Sequence, residues 1–297
     1  MSLRVTQHAI AYGATANLQE TLARSQRTQE KLTSGKEISR PSDSPSDVHT
    51  ALEYRASIRR ADQLVRNADD GLAMLGTADT ALTDTSNLMR RARDLAVQGA
   101  NSTLTAGGRE AIAVEIDQLR QQAISLANTT YLGRPLFSGT ASPAVGGDVA
   151  YAPAGTYNGN AAAIMRTIAP NESVQVNLTG TDVYGPAGSD LFTTLGKLAD
   201  DLRTNPAAVG TNIASIDTAF TRVTSALATV GARVNRVEAV RNQTATAQGQ
   251  QTDRLNGIES IDIAKTIMDL QMQQTAYQAA LAATAKVIQP SLMDFLR

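Results

Sequence analysis

The sequence contains no cysteine and no tryptophan, and aromatic residues make up only 4% of its 297 residues. Without cysteine the chain has no thiolate nucleophile, no cysteine-ligated metal and no disulfide bond. Its two histidines, His8 and His49, do not stand in an HExxH or HxH spacing, so we interpret them as surface residues rather than as catalytic or metal-binding ones.

A charge excess of one sign is also missing. The formal net charge is -1 at pH 7, which gives no electrostatic reason to expect nucleic acid as a partner. Acidic residues are plentiful, but they fall on the polar faces of helical patterns, where solvated charge is the usual interpretation. We therefore expect that the protein is not an enzyme and that it has no cofactor, no metal site and no catalytic residue.

Long apolar runs are absent as well. The first nineteen residues lack the roughly 7–15 consecutive apolar residues of a secretory signal, and no later segment reaches membrane-spanning length. These features predict no membrane contact. They leave two possibilities for location, the cytoplasm or export by a route that needs no cleaved signal.

Both ends of the chain carry a stripe with alternating steps of four and three residues, which is coiled-coil spacing. The C-terminal stripe consists of Ile263, Ile267, Leu270, Gln274, Tyr277, Leu281, Thr284 and Ile288, and a weaker N-terminal one of Leu18, Leu22, Ser25, Gln29 and Leu32. An isolated helix of this length is marginal in water, because ordering each residue costs about 1–2 kcal/mol. The ends must therefore pack against each other, against other copies, or both.

The interior of the chain shows the same helical period in residues 64–96, 112–126 and 213–237. We interpret these three runs as an ordinary intramolecular bundle. The Gly- and Thr-containing segment 101–108 predicts a turn between the first two runs, which would fold back as an antiparallel hairpin. Asn256-Gly257 predicts the end of the third run.

Residues 133–210 differ in composition, since they hold six of the nine prolines and eleven of the twenty-one glycines. Long helices do not survive that density of breakers. Alternating runs at 162–168 and 173–178 predict strands, and 190–203 predicts a short amphipathic helix. A small β-rich insertion is the expected result.

Residues 32–47 predict the end of one helix and the start of another. Gly35 suits a helix C-cap, Ser44 an N-cap and Pro45 the first helical position, with Asp47 completing a capping box. The predicted fold class is mainly α with a β-rich insertion, built as a long antiparallel helical bundle or coiled coil from both chain ends. The predicted domains are coiled-coil segments at 1–42 and 258–297 that are disordered until assembly, bundle halves at 43–132 and 211–257, and the β-rich insertion at 133–210.

Four segments in this order carry a resemblance to a known family: LTSGKEISRPSDSPSD, MRRARDLAVQGANSTL, YLGRPLFSGT and DIAKTIMDLQMQQTAYQAALAATAKVIQPSLMDFLR. Together they resemble the flagellin superfamily along most of the chain. Three details are more similar to the hook-filament junction proteins of that superfamily, hook-associated proteins of FlgL type, than to filament flagellin: Arg40-Pro41-Ser42-Asp43, Leu136-Phe137-Ser138-Gly139 and Ser291-Leu292-Met293-Asp294-Phe295-Leu296.

The resemblance implies a structural adaptor of the extracellular bacterial flagellum that is exported unfolded by the type III apparatus, without a cleaved signal peptide. Its expected partners are other copies in a ring, the hook-side junction protein, flagellin, and a cytoplasmic export chaperone on the C-terminal helix. The assembly interface would consist of Leu18, Leu22, Leu32, Ile263, Ile267, Leu270, Tyr277, Leu281, Ile288 and Leu292. The alternatives are filament flagellin itself and, from another class, a helical-stalk surface adhesin with a ligand-binding β insertion.

Overall fold

The computed structural model describes residues 2–141 and 149–288, and within those ranges it places side chains from residue 12 to residue 285. The α-helices of this part of the chain are α1 (Ser2–Ser34), α2 (Pro45–Gly99), α3 (Ala106–Ala127), α4 (Gly180–Tyr184), α5 (Leu191–Thr204), α6 (Val209–Glu259) and α7 (Ile263–Ile288). The strands are β1 (Thr130–Tyr131), β2 (Arg134–Pro135), β3 (Met165–Ala169) and β4 (Glu172–Gln175). No helix in the described ranges has both the length and the apolar character needed to cross a membrane.

The predicted fold class is confirmed, since helices dominate and small antiparallel sheets lie in the middle of the chain. The predicted strands at 162–168 and 173–178 correspond to the hairpin of β3 and β4, in which Arg166 pairs with Val174. The strands are short, and α4 and α5 occupy much of the same stretch. Helix α5 matches the helix predicted at 190–203.

The helix ends around residue 40 follow the predicted capping residues. Gly35 has a φ of 68°, and its N–H donates to the carbonyl of Lys31 at 2.8 Å, which closes α1 in the left-handed conformation that glycine adopts without strain. Helix α2 begins at Pro45, as predicted, and the Ser44 hydroxyl donates to the Asp47 carboxylate at 2.6 Å, which is a bond between side chains rather than a capping-box bond to a backbone N–H. Local sequence therefore sets both ends of this connection.

The predicted helix end at Asn256-Gly257 is wrong, because α6 continues to Glu259. A single glycine inside a helix costs only about 1 kcal/mol, which neighbouring turns offset. The start of α7 has its own signal in Asp262, whose carboxylate accepts the N–H of Lys265 at 3.1 Å as an N-cap does.

The chain divides into two compact units. We call residues 60–247 the central unit, and residues 1–59 together with 248–297 the terminal unit. Helices α2 and α6 each contribute residues to both units.

In the central unit the helical period predicted the buried face correctly. Ala68, Gly71, Leu75, Ala78, Leu82, Thr85, Met89, Ala92 and Ala96 are all buried. Ion pairs connect α2 to its neighbouring helices. Arg91 on α2 pairs with Glu115 on α3 at 2.7 Å, and Arg93 on α2 pairs with Asp217 on α6 at 2.7 Å. Asp69 on α2 pairs with Arg241 on α6 at 2.5 Å. Since the earlier residue of α2 pairs with the later residue of α6, the two helices are antiparallel.

The centre of the molecule's middle segment is an aromatic cluster in the central unit. Phe137, Tyr151, Tyr184 and Phe192 are each no more than 1% exposed, and their ring centroids lie 4.7–5.5 Å apart in the contacts Tyr151–Phe192, Tyr184–Phe192, Phe137–Tyr184 and Tyr151–Tyr184. Helix α5 carries Phe192 of this cluster in its first turn. Its N-cap residue is Asp190, whose carboxylate accepts the N–H of Thr193 at 2.8 Å. These four aromatic residues thus form part of the core of the central unit.

Candidate assembly surface

Helices α1 and α7, which we call the terminal helix pair, run antiparallel to each other within the terminal unit. Each turns one face to its partner. The partly or fully buried positions of α1 include Ala14, Leu18, Thr21, Ser25, Thr28 and Leu32, and those of α7 include Thr266, Leu270, Gln273, Tyr277, Ala280 and Thr284. Both sets advance by alternating steps of four and three, so the pair has coiled-coil spacing.

The seam between the two helices is mixed in character. Thr28 donates its hydroxyl hydrogen to the Gln273 side-chain oxygen across the seam at 3.0 Å, and small or polar residues fill most other positions. Thr266, which is 9% exposed, is the most buried side chain described on the pair. Because apolar burial drives helix association, this seam alone stabilises the pair only modestly.

The predicted interface residues fall into two groups. Leu18, Leu32, Leu270 and Tyr277 lie in the seam and are half-buried, whereas Leu22, Ile263, Ile267 and Leu281 are 40–61% exposed. Ile288 is the last residue of α7, and Leu292 lies outside the described residues. The structure therefore brings half of the described set together and leaves the other half uncovered.

The uncovered residues of α7 form a second strip beside the seam. At 100° per residue, Ile263, Ile267 and Leu281 point about 60–100° away from the middle of the α1-facing side. The helix also carries no charged residue from 271 to 285. An exposed apolar face of several turns without charge is typical of a surface that another molecule covers.

Sequence reasoning missed three further exposed side chains on the terminal helix pair, which lie outside this strip. Tyr12 on α1 is 79% exposed, and Met268 and Met272 on α7 are 60% and 67% exposed. None of the three belongs to a predicted stripe, since each lies outside the four-three pattern. The signal that could have found them is the low charge of α7, which marks the whole helix rather than one stripe.

The connections that follow α1 and α6 are joined by backbone hydrogen bonds. The N–H of Glu37 donates to the carbonyl of Glu259 at 2.7 Å, and the N–H of Ile261 donates to that of Gly35 at 3.3 Å. Arg55 on α2 adds an ion pair to Glu259 at 2.8 Å. The N-terminal and C-terminal parts of the terminal unit are thus held together at this point.

The segment Arg40-Pro41-Ser42-Asp43 forms a closed loop next to these bonds. The Asp43 carboxylate accepts the N–H of Ser39 at 3.2 Å and of Arg40 at 2.8 Å, so it organises the loop from within. The Arg40 guanidinium pairs with Glu30 on α1 at 3.2 Å. Beside the loop is a groove of about 490 Å³ that Leu52 and other residues line.

Comparison with known proteins matches the two ends of the chain and leaves its middle unmatched by a family model. The family models for the N-terminal and the C-terminal helical regions of bacterial flagellin match residues 5–142 and 213–296. A flagellin of Halalkalibacterium halodurans is 27% identical over 281 residues, which are 94% of this chain and 93% of that relative. Flagellin B of Vibrio anguillarum is 31% identical over 133 residues, and there the match spans 45% of this chain and 35% of the relative.

Solved structures with a similar fold include a flagellar hook-associated protein and a flagellar junction protein. A structure described as a flagellar hook-associated protein of Vibrio parahaemolyticus matches with a TM-score of 0.67 and 20% identity, covering 73% of this chain and all of that one. The flagellar junction protein FlgL of Legionella pneumophila matches with a TM-score of 0.55 and 16% identity, covering 72% of this chain and all of that one. At such low identity these two likenesses concern the fold.

Proposed function

Because this chain belongs to the bacterial flagellin family and is a structural protein of the flagellum, we propose that it forms the junction between hook and filament. In this function the subunits form a ring that contacts the hook-side junction protein on one side and flagellin on the other. The adaptor lets a bending hook drive a stiff filament. It works outside the cell, after type III export.

The uncovered apolar strip on α7 is the observation that supports this assembly function. Ile263, Ile267 and Leu281 remain 61%, 40% and 45% exposed although α1 packs beside them. Burying one such side chain fully contributes about 1.5–3 kcal/mol. Neighbouring subunits gain that free energy when they cover the strip, and Leu22 of α1 adds to the same surface.

The predicted order of folding belongs to this proposal. Segments 1–42 and 258–297 are disordered before assembly and pack as coiled coils only within the flagellum, around the bundle halves 43–132 and 211–257 and the insertion 133–210. Deferring the ordering of the ends keeps the chain suited to export. A cytoplasmic chaperone covers the C-terminal stripe, including the positions of Ile288 and Leu292, until export.

The choice of the junction over the filament has two supports. The three local details at 40–43, 136–139 and 291–296 resemble junction proteins more than filament flagellin, and solved hook-associated and junction proteins share the fold. Filament flagellin is the second candidate, which the nearly full-length match to the flagellin of Halalkalibacterium halodurans favours.

A surface adhesin receives less support than either flagellar component. A sugar-binding insertion would need exposed aromatic rings for stacking, yet Phe137, Tyr151 and Tyr184 are at most 1% exposed. Tyr157 is only partly exposed, and its hydroxyl donates to the carbonyl of Phe137 at 2.9 Å. The insertion uses its aromatic residues for packing.

Deletion of the gene tests the choice between junction and filament. Cells that lack a junction protein should build hooks and release flagellin subunits into the medium. Cells that lack flagellin should instead bear hooks tipped by a junction and release no flagellin. Electron microscopy of the cells and immunoblots of the medium distinguish the two results, and the second would overturn the junction assignment.

Leu281→Asp tests the assembly surface itself. The side chain is 45% exposed in the free chain, so we expect the free energy of unfolding to change by no more than about 0.5 kcal/mol. Attachment of filaments should be lost, because the interface would bury an unpaired carboxylate. Val114→Asp on α3, at a site 44% exposed in the central unit, is the matched control and should preserve attachment. If Leu281→Asp instead prevented folding of the free chain, Leu281 would be a core residue and the proposal would fail.

A further inference from the structure

Two methionines on α7 stand out among the exposed side chains of the terminal unit. Met268 and Met272 are one helical turn apart and are 60% and 67% exposed. By contrast Met74 and Met89 in the central unit are 7% and 0% exposed. Met165, on β3 of the central unit, is 51% exposed and provides a natural comparison.

The two thioethers share the side of α7 that is turned away from α1. Met268 precedes Leu270 of the seam by two residues, and Met272 follows it by two, so each is about 160° around the helix from Leu270. Side chains one turn away are mainly small or uncharged, with Lys265 and Asp269 as the charged exceptions. Packing against α1 therefore leaves both methionine side chains mainly exposed, and the disorder proposed for this segment before assembly would not cover them.

We propose that Met268 and Met272 form an oxidation-sensitive site that controls whether the free subunit can assemble. The inference rests on the proposed function, in which α7 is buried by neighbouring subunits. A peroxide is the oxidant: one of its oxygens forms the new S–O bond, the O–O bond breaks, and the remaining oxygen leaves as water. The thioether is oxidised to a sulfoxide while the peroxide is reduced.

The consequence follows from the polarity of the product. A sulfoxide oxygen is a strong hydrogen-bond acceptor, and burying it without a donor is unfavourable. Two sulfoxides one turn apart convert this apolar side of α7 into a polar one at once. The free chain keeps its fold, because neither sulfur packs in its core, whereas the assembled state loses the apolar contacts of this side.

The first experiment measures where the oxidant acts. Purified full-length chain is treated with hydrogen peroxide, and mass spectrometry of peptides follows the sulfoxide at each methionine. We expect Met268, Met272 and Met165 to react at similar rates, at least about tenfold faster than Met74 and Met89. Equal protection of Met268 and the buried Met89 would overturn the inference.

The second experiment measures assembly. Treated and untreated chains are added to cells that lack the gene, and filament attachment is counted. Oxidation should lower attachment at least about tenfold, and methionine sulfoxide reductases should restore it. Unchanged attachment after complete oxidation of Met268 and Met272 would overturn the inference.

Variants identify the responsible residues. The double variant Met268→Leu, Met272→Leu should attach equally well with and without peroxide, whereas Met165→Leu should stay sensitive to it. Met268→Gln with Met272→Gln, which imitates the polarity of the sulfoxide, should attach poorly without any oxidant while melting like the unaltered chain. Continued peroxide sensitivity of the double leucine variant would contradict the role of this site. If untreated chain failed to attach, the proposed function and the assembly role of the site would both be overturned, while the peptide pattern would still decide whether the site is oxidised.

Discussion

The central unit and the terminal unit of this chain differ in whether their hydrophobic side chains are buried or exposed. Among the side chains that the structure describes, Ala51 is the one buried hydrophobic residue that the terminal unit contributes, and all others belong to the central unit. The distribution reverses for large exposed hydrophobic residues. The terminal unit holds Tyr12, Leu22, Leu52, Ile263, Ile267, Met268, Met272 and Leu281, and the central unit holds Val97, Val114, Leu132 and Met165.

This contrast separates the buried core of the molecule from the surface that we propose for assembly. A core of buried side chains gives the central unit a folded state of its own, since apolar burial is the main favourable term in folding. The terminal unit has long helices without such a core, so its apolar surface contributes little until something covers it. The same chain can therefore be stable as a subunit and still gain free energy by assembling.

The largest effect that separates the units is expected from Phe192→Ala. The ring is completely buried and touches Tyr151 and Tyr184 with centroid distances of 4.7 and 5.2 Å. Its loss should lower the free energy of unfolding by about 3–5 kcal/mol, because a cavity replaces the ring. Chemical denaturation followed by circular dichroism measures the change.

The matched variant for this measurement is Ile263→Ala in the terminal unit, at a side chain that is 61% exposed. It should alter the unfolding free energy by no more than about 0.5 kcal/mol. If Phe192→Ala and Ile263→Ala lowered the free energy of unfolding by similar amounts, the contrast between the two units would be wrong, since the side chain of Ile263 would then be as deeply buried as that of Phe192.

The next largest difference between the two units should be their rate of cleavage in limited proteolysis. Trypsin sites such as Lys31 and Lys265 lie in the terminal unit, whereas Arg120 and Lys197 lie in the central unit. We expect cleavage in the free monomer to be at least about 100-fold faster in the terminal unit, because a segment with few buried contacts opens at little cost in free energy. Mass spectrometry of the first fragments measures the order of cleavage.

Isolated hook-filament boundaries serve as the control for proteolysis. There the same terminal sites should be protected, since assembly covers them. A free monomer that resisted cleavage at both ends would show that the terminal helix pair is already a stable structure by itself. In that case the proposal that the ends are disordered before assembly would have to be abandoned.

The sequence predicted the central unit better than the terminal one, for a physical reason. In the central unit the buried face is apolar from Ala68 to Ala96, so the helical period marks it directly. In the terminal unit the helix ends at Gly35 and Pro45 were predictable too, because capping depends on a few adjacent residues. The aromatic cluster was not, because it joins residues far apart in the chain.

In the terminal unit the period identified the helices but not their contact face. The α1-facing side of α7 follows a four-three pattern of its own, which shares Leu270 and Tyr277 with the predicted stripe but has small or polar residues at its other positions, so Ile267 and Leu281 lie beside the seam. The observed seam also contains polar residues such as Gln273, which a search for apolar residues passes over. Which face meets α1 depends on the partner, and one stripe of sequence cannot encode that choice.

The smallest predicted effect compares one ion pair from each unit. In the central unit Arg166 donates to the Asp70 carboxylate at 2.7 Å, and this bond lowers the pKa of Asp70 below its ordinary value, although partial burial opposes the shift. The carboxylate therefore stabilises the fold when it is ionised, above about pH 4, and that contribution is lost as the pH falls through the lowered pKa. Asp70→Asn should cost about 0.5–1 kcal/mol at pH 7 and progressively less in acid.

The counterpart in the terminal unit is the ion pair of Arg55 and Glu259, in which a guanidinium nitrogen and a carboxylate oxygen lie 2.8 Å apart. Glu259→Gln should leave the main unfolding transition within about 0.5 kcal/mol of the unaltered chain at pH 7, because the terminal unit opens before the central core does. Denaturant titrations of both variants at pH 7 and pH 3 measure the two effects. If Glu259→Gln lowered the main transition as much as Asp70→Asn, the two units would unfold as one cooperative body, and burial in the central unit could no longer account alone for the stability of the free subunit.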